Sequence, residues 1–355
     1  MITAAGGRNP IRSQLGIALE GSTQAQKRIV VDILGSDPSP ESCSEFHCNG
    51  KRPVIVVSGV KGRRRYEFML LPTDSEELVT TTDFILDLLA PPSNRSPESI
   101  RRSAVYVAHQ RIAQTFRRGH VILIGDAAHL MPPLAGQALN AGVRDAANIT
   151  WKLAAVIRDG APDVLIDTYE QESRPHAADM VRLSHLIGKV VMATNHPLVL
   201  ARDLAINASG LIPPLKHWIT QLRFLKQPHY TKGCIVAPTR EIGAQMVGSA
   251  LPQPSLHTED HGEVPLDQLL GSDWSLVHIS VNQEVEIVRL SGGNKAIRGR
   301  ETASQFSHLT AGTTLIVRPE RYVAAVTTRA GEHAALTELA RLVPDLGAKR
   351  PAPAA

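Results

Sequence analysis

The residues best placed to do chemistry follow an uninterrupted apolar run, Val121–Ile124, that ends in Gly125-Asp126. Such a run is typical of a parallel strand that is buried on both faces. Ligands of open α/β sheets bind at the carboxyl ends of the strands, so we expect the Asp126 carboxylate to emerge where a ligand would lie. It could accept hydrogen bonds there from the hydroxyl groups of a ribose or ribityl chain, although an isolated GD pair would more simply suggest a helix cap.

The segment after Asp126 is suited to close contact with a planar ligand. Pro132-Pro133 stiffens the loop because the proline rings fix φ, and Gly136-Gln137-Ala138 lets the backbone approach a ligand. From Leu139 to Arg158 the apolar residues recur at helical spacing, with Gly160 placed where a C-terminal cap belongs. The first N–H groups of that helix would favour negative charge on whatever lies before them.

The whole stretch GDAAHLMPPLAGQALNAGVRDAANITWKL, which begins at Gly125, resembles the pattern GDAAHxxPPxxGQGxNxGxxDAxNLxWKL. This is the second flavin-binding motif of the FAD-dependent aromatic-ring monooxygenases, the family of para-hydroxybenzoate hydroxylase and phenol hydroxylase. The branch that looks most similar contains the 3-(3-hydroxyphenyl)propionate and polyketide hydroxylases. Ala138 stands where the family has glycine, and its methyl group would either crowd the flavin or be tolerated.

The resemblance implies a set of cofactor-binding residues. They are Gly125, Asp126, Pro133, Gly136, Gln137, Ala138, Leu139 and Asn140. In the family pattern the Asp of the GD pair binds ribityl hydroxyls, the proline lies beside the flavin, and the later residues face the isoalloxazine edge. The dipole of the following helix would stabilise the negative charge of the reduced flavin. The catalytic residues stay open, because no motif marks a catalytic base.

The resemblance covers nearly the whole chain and implies its domain organisation. We expect an α/β (α+β) protein with an incomplete flavoprotein hydroxylase fold: a substrate-domain sheet, a partial FAD-binding domain and a thioredoxin-like C-terminal module. The expected ranges are 1–12 for a remnant of the FAD-binding domain, 13–118 for the substrate-binding sheet, 119–228 for the GD motif and the following helices, and 229–355 for the thioredoxin-like domain. The last module has no CxxC, so no dithiol chemistry is expected of it.

Local patterns predict the elements of these domains. Strands are expected at Arg28–Leu34, Pro53–Val57 and Arg63–Leu71, the last two joined by a turn at Ser58–Gly62, and helices at Asp74–Leu89 and Val164–Val191, with a break near Pro175. A polar linker is expected at Pro252–Pro265, followed by strands at Ser275–Ser280, Val285–Leu290 and Thr314–Val317 and a helix near Glu332–Leu342.

Two departures from the family pattern affect the interpretation. The family begins with a βαβ unit whose GxGxxG seats the ADP part of FAD, and this chain has no such motif. In the middle Asp-Gly motif, which is linked to the pyrophosphate and the nicotinamide cofactor, Ala5 and Asn9 replace the Asp and the Ser. We therefore expect an N-terminally truncated member whose activity is in doubt.

The composition argues against some classes of binding partner. The chain has 38 Lys and Arg residues and 34 Asp and Glu residues, so its formal net charge is +4, and this excess of positive charge is too small and too scattered to favour nucleic acid as a partner. Three cysteines exclude a disulfide framework and favour a reducing compartment. No apolar run reaches the roughly 18 residues that span a membrane, and the N-terminus lacks the apolar region of a signal peptide. A cytoplasmic protein with neither nucleic acid nor membrane as partner is expected.

Three smaller patterns have simpler interpretations than a functional site. Cys43, His47 and Cys48 are close in sequence, but a structural zinc site needs four ligands and no second pair has suitable spacing, so no metal is expected. Arg63–Arg65 is interpreted as a solvated hairpin face. His129 is expected to pack rather than react.

The activity that the resemblance implies is hydroxylation of a phenolic or polyketide aromatic ring. FAD would be the cofactor, NAD(P)H the co-substrate, and a small aromatic molecule and O2 the substrates, with a homodimer as a candidate assembly. Two alternatives stay open. One is another flavin-dependent oxidation, such as Baeyer–Villiger insertion into a polyketide. The other is a non-catalytic remnant or interaction protein that binds FAD weakly or not at all.

Overall fold

The computed structural model describes residues 1–34, 44–75, 77–90, 96–132, 136–221, 223–238, 243–260, 262–280, 284–290, 296–302 and 304–348. Within these ranges the chain forms three β-sheets and a group of long helices, which confirms the expected α/β (α+β) class. The first elements are β1 (Ile2–Thr3), α1 (Pro10–Gln14), β2 (Leu19–Leu34), β3 (Ser44–His47), β4 (Val54–Ser58), β5 (Arg63–Met69), α2 (Thr82–Leu89) and β6 (Ile100–Ala113).

A long antiparallel sheet dominates the first third of the chain. Its strands are ordered β3-β4-β5-β2-β6, and a short strand after the GD pair, β9 (His129–Leu130), completes it beside β6. The β-branched side chains of Ile29, Val31 and Ile33 lie on one face of β2 and are fully buried against α2. The predicted strands and hairpin turn are confirmed, and the strand expected at Arg28–Leu34 is the second half of β2.

The helix predicted over Asp74–Leu89 begins only at Thr82, so the first half of that prediction is wrong. The Asp74 carboxylate closes a turn instead, because it accepts the Leu71 N–H at 2.7 Å and two hydrogen bonds from the guanidinium of Arg52. The helix starts where the Thr81 hydroxyl can cap it by accepting the N–H of Phe84.

A small sheet carries the strand that leads to the GD pair. It consists of β1, β7 (Arg117–Arg118) and β8 (Val121–Leu123), in the order β1-β8-β7. β8 pairs in parallel with β1, as the apolar run predicts, and antiparallel with β7. Ile122 and Leu123 are buried, whereas Val121 is half-buried.

Long helices follow: α3 (Gln137–Arg158), α4 (Val164–Val191), α5 (His196–Gly210) and α6 (Pro213–Thr220). α4 runs unbroken through Pro175, so the predicted break is wrong. Pro175 is exposed, so water can bind the Gln171 carbonyl group that loses its helical partner. No single described helix is long and apolar enough to cross a membrane; α5 and α6 meet that criterion only together, as a pair bent by 109°.

The C-terminal module is a seven-stranded sheet in which every described pairing is antiparallel. Its elements are β10 (Ser255–Thr258), β11 (Gly262–Pro265), α7 (Leu266–Leu270), β12 (Ser275–Ile279), β13 (Glu284–Arg289), β14 (Ala296–Glu301), β15 (Thr313–Val317), β16 (Val323–Thr328), α8 (Glu332–Leu339) and α9 (Asp345–Ala348). The linker predicted over Pro252–Pro265 is wrong, because β10 and β11 pair there as a hairpin. The thioredoxin-like description of this module stays a prediction.

The C-terminal module packs directly against α3 and α4. One apolar cluster contains Leu165 of α4, Leu276 of β12 and Leu336 of α8. At its edge Trp151 of α3 meets Trp274 edge to face, with ring centroids 5.5 Å apart. The helix that follows the GD pair is therefore held from both sides, by α4 and by the C-terminal sheet.

Candidate functional site

The GD pair forms a tight turn at the end of β8. Gly125–Ala127 is one turn of 3-10 helix, and Gly125 has a φ of +57°, a left-handed conformation that favours glycine. Asp126, the residue after Gly125, is exposed, whereas the next two residues, Ala127 and Ala128, are fully buried. Among the described residues none donates a hydrogen bond to the Asp126 carboxylate, so its oxygens are free to accept bonds from a ligand.

The N-terminus of α3 is the second part of the site. Its N-cap residue is Gly136, at a φ of +62°, which has no side chain to accept hydrogen bonds from the first helical N–H groups. Those N–H groups and the positive end of the helix dipole are therefore available to an electron-rich ligand atom. Gln137 is half-buried, whereas Leu139 and Asn140 are exposed, Leu139 to 78%.

The alanine that replaces the family glycine is accommodated by the protein interior. Ala138 is half-buried and packs against an apolar cluster that includes Met131, Ala141 and Met180. Pro133, the remaining predicted site residue, lies outside the described residues.

Two glycines let the turn rest directly on α3. A Cβ placed on Gly125 would lie 3.7 Å from the Cα of Gly142, and one placed on Gly142 would lie 3.6 Å from the Cα of Gly125. The backbones therefore meet without an intervening side chain. The structure thus brings the GD turn against the early turns of α3, the helix that carries the predicted site residues Gln137, Ala138, Leu139 and Asn140.

Buried polar groups hold the turn in place. The Asp145 carboxylate, from the inner face of α3, accepts hydrogen bonds from the Gly125 N–H at 2.9 Å and from the His129 imidazole at 2.7 Å. On the other side, the Arg12 guanidinium donates to the Ala127 carbonyl group at 2.9 Å, and burial lowers the pKa of Arg12. His129 is fully buried, in agreement with its expected packing role.

The middle-motif positions take structural roles around Arg12. The Asn9 side chain is fully buried, caps α1 by accepting the Arg12 N–H at 2.9 Å, and donates to the Thr3 hydroxyl at 2.7 Å. Ala5 is exposed. Asn9 therefore provides a helix cap that helps to place Arg12 against the GD turn.

A second buried cluster lies farther along α3 and connects it to the C-terminal module. Glu172 of α4 accepts two hydrogen bonds from Arg318, both 2.8 Å, and one from Lys152 of α3, 2.6 Å. Arg318 also contacts Glu320. Burial alone would raise the pKa of Glu172, but the positive charges of Arg318 and Lys152 outweigh it and lower that pKa.

The sequence did not reveal Asp145, Gly142, Glu172 or Arg318. Within the motif, Asp145 and Gly142 could have been identified from their helical spacing with Ala138, which places them on one side of α3. Glu172 and Arg318 carry no local signal, because they are 146 residues apart.

The remaining candidate patterns do not form sites in the described part of the chain. His47 pairs with Glu45 at 2.9 Å, Cys48 is a free thiol, and Cys43 lies outside the described residues. No group of three metal-ligating side chains occurs among the described residues. The Arg63–Arg65 run is only partly a solvated face, because Arg64 pairs with Glu45 and Arg65 with Asp32.

Comparisons with known proteins agree with this geometry. Residues 1–184 match the family described as FAD binding domain. The chain is 38% identical over 274 residues to a 3-(3-hydroxy-phenyl)propionate/3-hydroxycinnamic acid hydroxylase of Mycolicibacterium smegmatis, covering 77% of this chain and 48% of the relative. It is 32% identical over 363 residues to 3-(3-hydroxy-phenyl)propionate/3-hydroxycinnamic acid hydroxylase 2 of Burkholderia vietnamiensis, and this match covers 93% of this chain and 66% of the relative.

The fold agrees as well. The crystal structure of aklavinone-11 hydroxylase in a ternary complex with FAD and aklavinone superposes with a TM-score of 0.70 at 22% identity, over 97% of this chain and 67% of that one. The chain thus spans about half to two thirds of the length of the curated relatives named above. Because the family match covers more than half of the residues and includes the GD turn, the chain belongs to the FAD binding domain family.

Proposed function

We propose that this chain forms the ribityl-and-ring part of an FAD site in an enzyme that hydroxylates a phenolic ring with NAD(P)H and O2. The observation that carries the proposal is the pairing of the exposed Asp126 carboxylate with the uncapped N-terminus of α3, held together by the Gly125–Gly142 contact. One part accepts hydrogen bonds from hydroxyl groups, and the other donates them to carbonyl oxygens. A flavin presents both groups on one side.

The residues present suit the cofactor in three respects. Asp126 would accept bonds from the ribityl hydroxyls, and the first N–H groups after Gly136 would donate to the electron-rich edge of the ring. Leu139 and Val143, in the first two turns of α3, offer exposed apolar surface. FAD, when bound, would supply electron transfer from NAD(P)H and activation of O2. The protein's part is to orient the ring and to stabilise negative charge on it.

The substrate class follows from the relatives. Proteins named for 3-(3-hydroxyphenyl)propionate and 3-hydroxycinnamic acid are 32% and 38% identical to this chain, so we propose a phenol with a short carboxylic acid side chain. Baeyer–Villiger oxidation of a polyketide is the alternative reaction, and analysis of the product distinguishes the two. A cytoplasmic location and a homodimer belong to the same proposal.

The test of the site is the substitution Asp126→Ala, with Asp159→Ala as the matched control. Asp159 is also exposed but lies at the opposite end of α3. Loss of charge-assisted hydrogen bonds should weaken FAD binding by about 2–4 kcal/mol, measured by quenching of flavin fluorescence, and the control should bind normally. Because Asp126 is exposed, the thermal melt should stay unchanged.

The opposite pattern would contradict the assignment. If Asp126 were only a cap, Asp126→Ala should reduce stability by about 1 kcal/mol and leave the flavin affinity as it was. The activity is tested separately, by NADH consumption and identification of the product with 3-(3-hydroxyphenyl)propionate. A ring that gains no oxygen, with either NADH or NADPH, would refute the proposed reaction.

A further inference from the structure

One oxygen of the Asp145 carboxylate binds both ends of the segment from Gly125 to His129. Oδ2 accepts the backbone N–H of Gly125 at 2.9 Å and the Nε2–H of His129 at 2.7 Å. The side chains are buried, Asp145 with 4% exposure and His129 with none. A single side chain of α3 thus binds both Gly125 and His129, the first and last residues of the segment that contains Asp126.

The Asp145–His129 contact has a definite direction. Oδ2 of Asp145 accepts in this contact, so the imidazole donates through Nε2. Among the described residues His129 Nδ1 has no hydrogen-bond partner, so Asp145 is the polar contact that orients the ring. Packing against Phe116, whose ring centroid lies 6.0 Å away, supports the imidazole from the side.

Backbone hydrogen bonds hold the chain on both sides of Gly125-Asp126. The Ile124 N–H donates to the Thr3 carbonyl group at 3.2 Å, and the Ala128 carbonyl group accepts the Ala113 N–H at 2.7 Å. Between these two bonds the Gly125–Gly142 contact involves no side chains, and Arg12 binds the turn at the Ala127 carbonyl group. The hydrogen bond from Gly125 N–H to Asp145 fixes the peptide plane directly before Asp126, and with it the direction of the Asp126 side chain.

We propose that Asp145, acting with His129, is a positioning residue for flavin binding: it orients the GD turn so that Asp126 meets the ribityl chain. This inference rests on the proposed function. It assigns Asp145 no contact with the flavin, since its side chain is buried under the turn.

The test compares three variants by FAD titration in the 355-residue chain. Asp145→Ala removes both hydrogen bonds, and FAD should bind at least about tenfold more weakly, because two buried donors lose their acceptor. Asp145→Asn keeps an acceptor oxygen and should stay within about threefold of the wild type. Asn148→Ala is the control. It removes a buried polar group one turn along α3, hydrogen-bonded at 2.7 Å to Glu172 and not to the turn, and should leave FAD affinity unchanged.

A second measurement needs no flavin. Hydrogen exchange in the peptide 121–131 should accelerate in Asp145→Ala and not in Asn148→Ala, because only the first frees the Gly125 amide. Normal FAD affinity in Asp145→Ala, or equal weakening in Asn148→Ala, would overturn the inference. Failure of the wild type to bind FAD would instead refute the proposed function, and unchanged exchange in Asp145→Ala would then show that Asp145 does not hold the turn either.

Discussion

Replacing Arg318 with methionine should be among the most damaging single changes in the chain. The guanidinium is fully buried and is held by Glu172 and Glu320, whose side chains are 0% and 3% exposed. With Lys152 the cluster contains two cations and two anions. Arg318→Met removes one cation and leaves two buried carboxylates with a single partner. Breaking a buried pair in this way costs about 3–5 kcal/mol.

A second substitution tests whether the stability lost in Arg318→Met arises from the unpaired charge. Glu320→Gln in the Arg318→Met background restores one anion to one cation, Glu172 with Lys152, and should recover roughly 2 kcal/mol, about half of the loss. Arg298→Met serves as the control. Arg298 belongs to the same module and pairs with Glu286, but its side chain is 83% exposed, so its removal should cost less than about 1 kcal/mol.

The measurement is urea unfolding followed by tryptophan fluorescence. Trp151 lies beside the cluster, with its ring centroid 5.3 Å from the Arg318 guanidinium carbon, and it contacts Trp274. A Trp218→Phe background removes the third tryptophan, which is exposed on α6. The midpoint should fall by about 1 M for a slope of about 3 kcal/mol/M. A loss below about 1 kcal/mol, or no recovery in the double variant, would refute the charge argument.

Two further predictions follow from buried histidine and from close backbone contacts. Burial, and then the nearby charge of Arg144, lower the pKa of His176 to about 4. The unfolded chain therefore takes up this proton first as the pH falls, and His176 should account for at most about 3 kcal/mol of the stability lost between pH 6.5 and pH 4. Urea unfolding at both pH values should show a smaller loss in His176→Gln. Parallel losses in the two proteins would contradict this. Gly21→Ala should destabilise the chain by more than about 3 kcal/mol, because the new Cβ would lie 2.0 Å from the Gln110 carbonyl oxygen and Gly21 has a φ of +122°. Gly62 has a φ of +71°, but a new Cβ there would meet no atom within 4 Å, so Gly62→Ala should cost about 1 kcal/mol. Thermal melts of the two variants measure both losses. Equal melts for the two variants would contradict the geometry.

The sequence predicted the location of the site better than its construction. The order of apolar strand, GD pair and helix is local, so spacing alone placed Asp126 at a strand end and Gly136 before a helix. The orientation of α3 was not predictable in the same way. Its apolar residues recur at helical spacing, yet Leu139, Val143 and Ile157 are among its most exposed side chains. The prediction that α3 is a helix was correct, but several of the apolar residues on which it relied do not lie in the core.

The buried face of α3 explains this inversion. It carries Asp145, Asn148 and Lys152 together with Ala141 and Ile149. Polar residues at such positions ordinarily indicate solvent, because burial without partners is costly. Their partners come from elsewhere in the chain: the GD turn for Asp145, and Glu172 of α4 for the other two. Periodicity cannot detect a partner that is distant in sequence, so pattern reasoning necessarily misses a face whose burial depends on pairing.

This arrangement gives α3 a definite role in the molecule. Asp145, Asn148 and Lys152 succeed one another along one side of the helix, and each binds a group outside it, so the rotation of α3 is set by directional bonds and not by apolar area alone. Arg318 extends the same series to the C-terminal module through Glu172. The two ends of this face bind different groups, because Asp145 binds the GD turn whereas Asn148 and Lys152 bind Glu172 in the ion cluster. A loss at Arg318 should therefore lower stability, whereas a loss at Asp145 should change the turn itself.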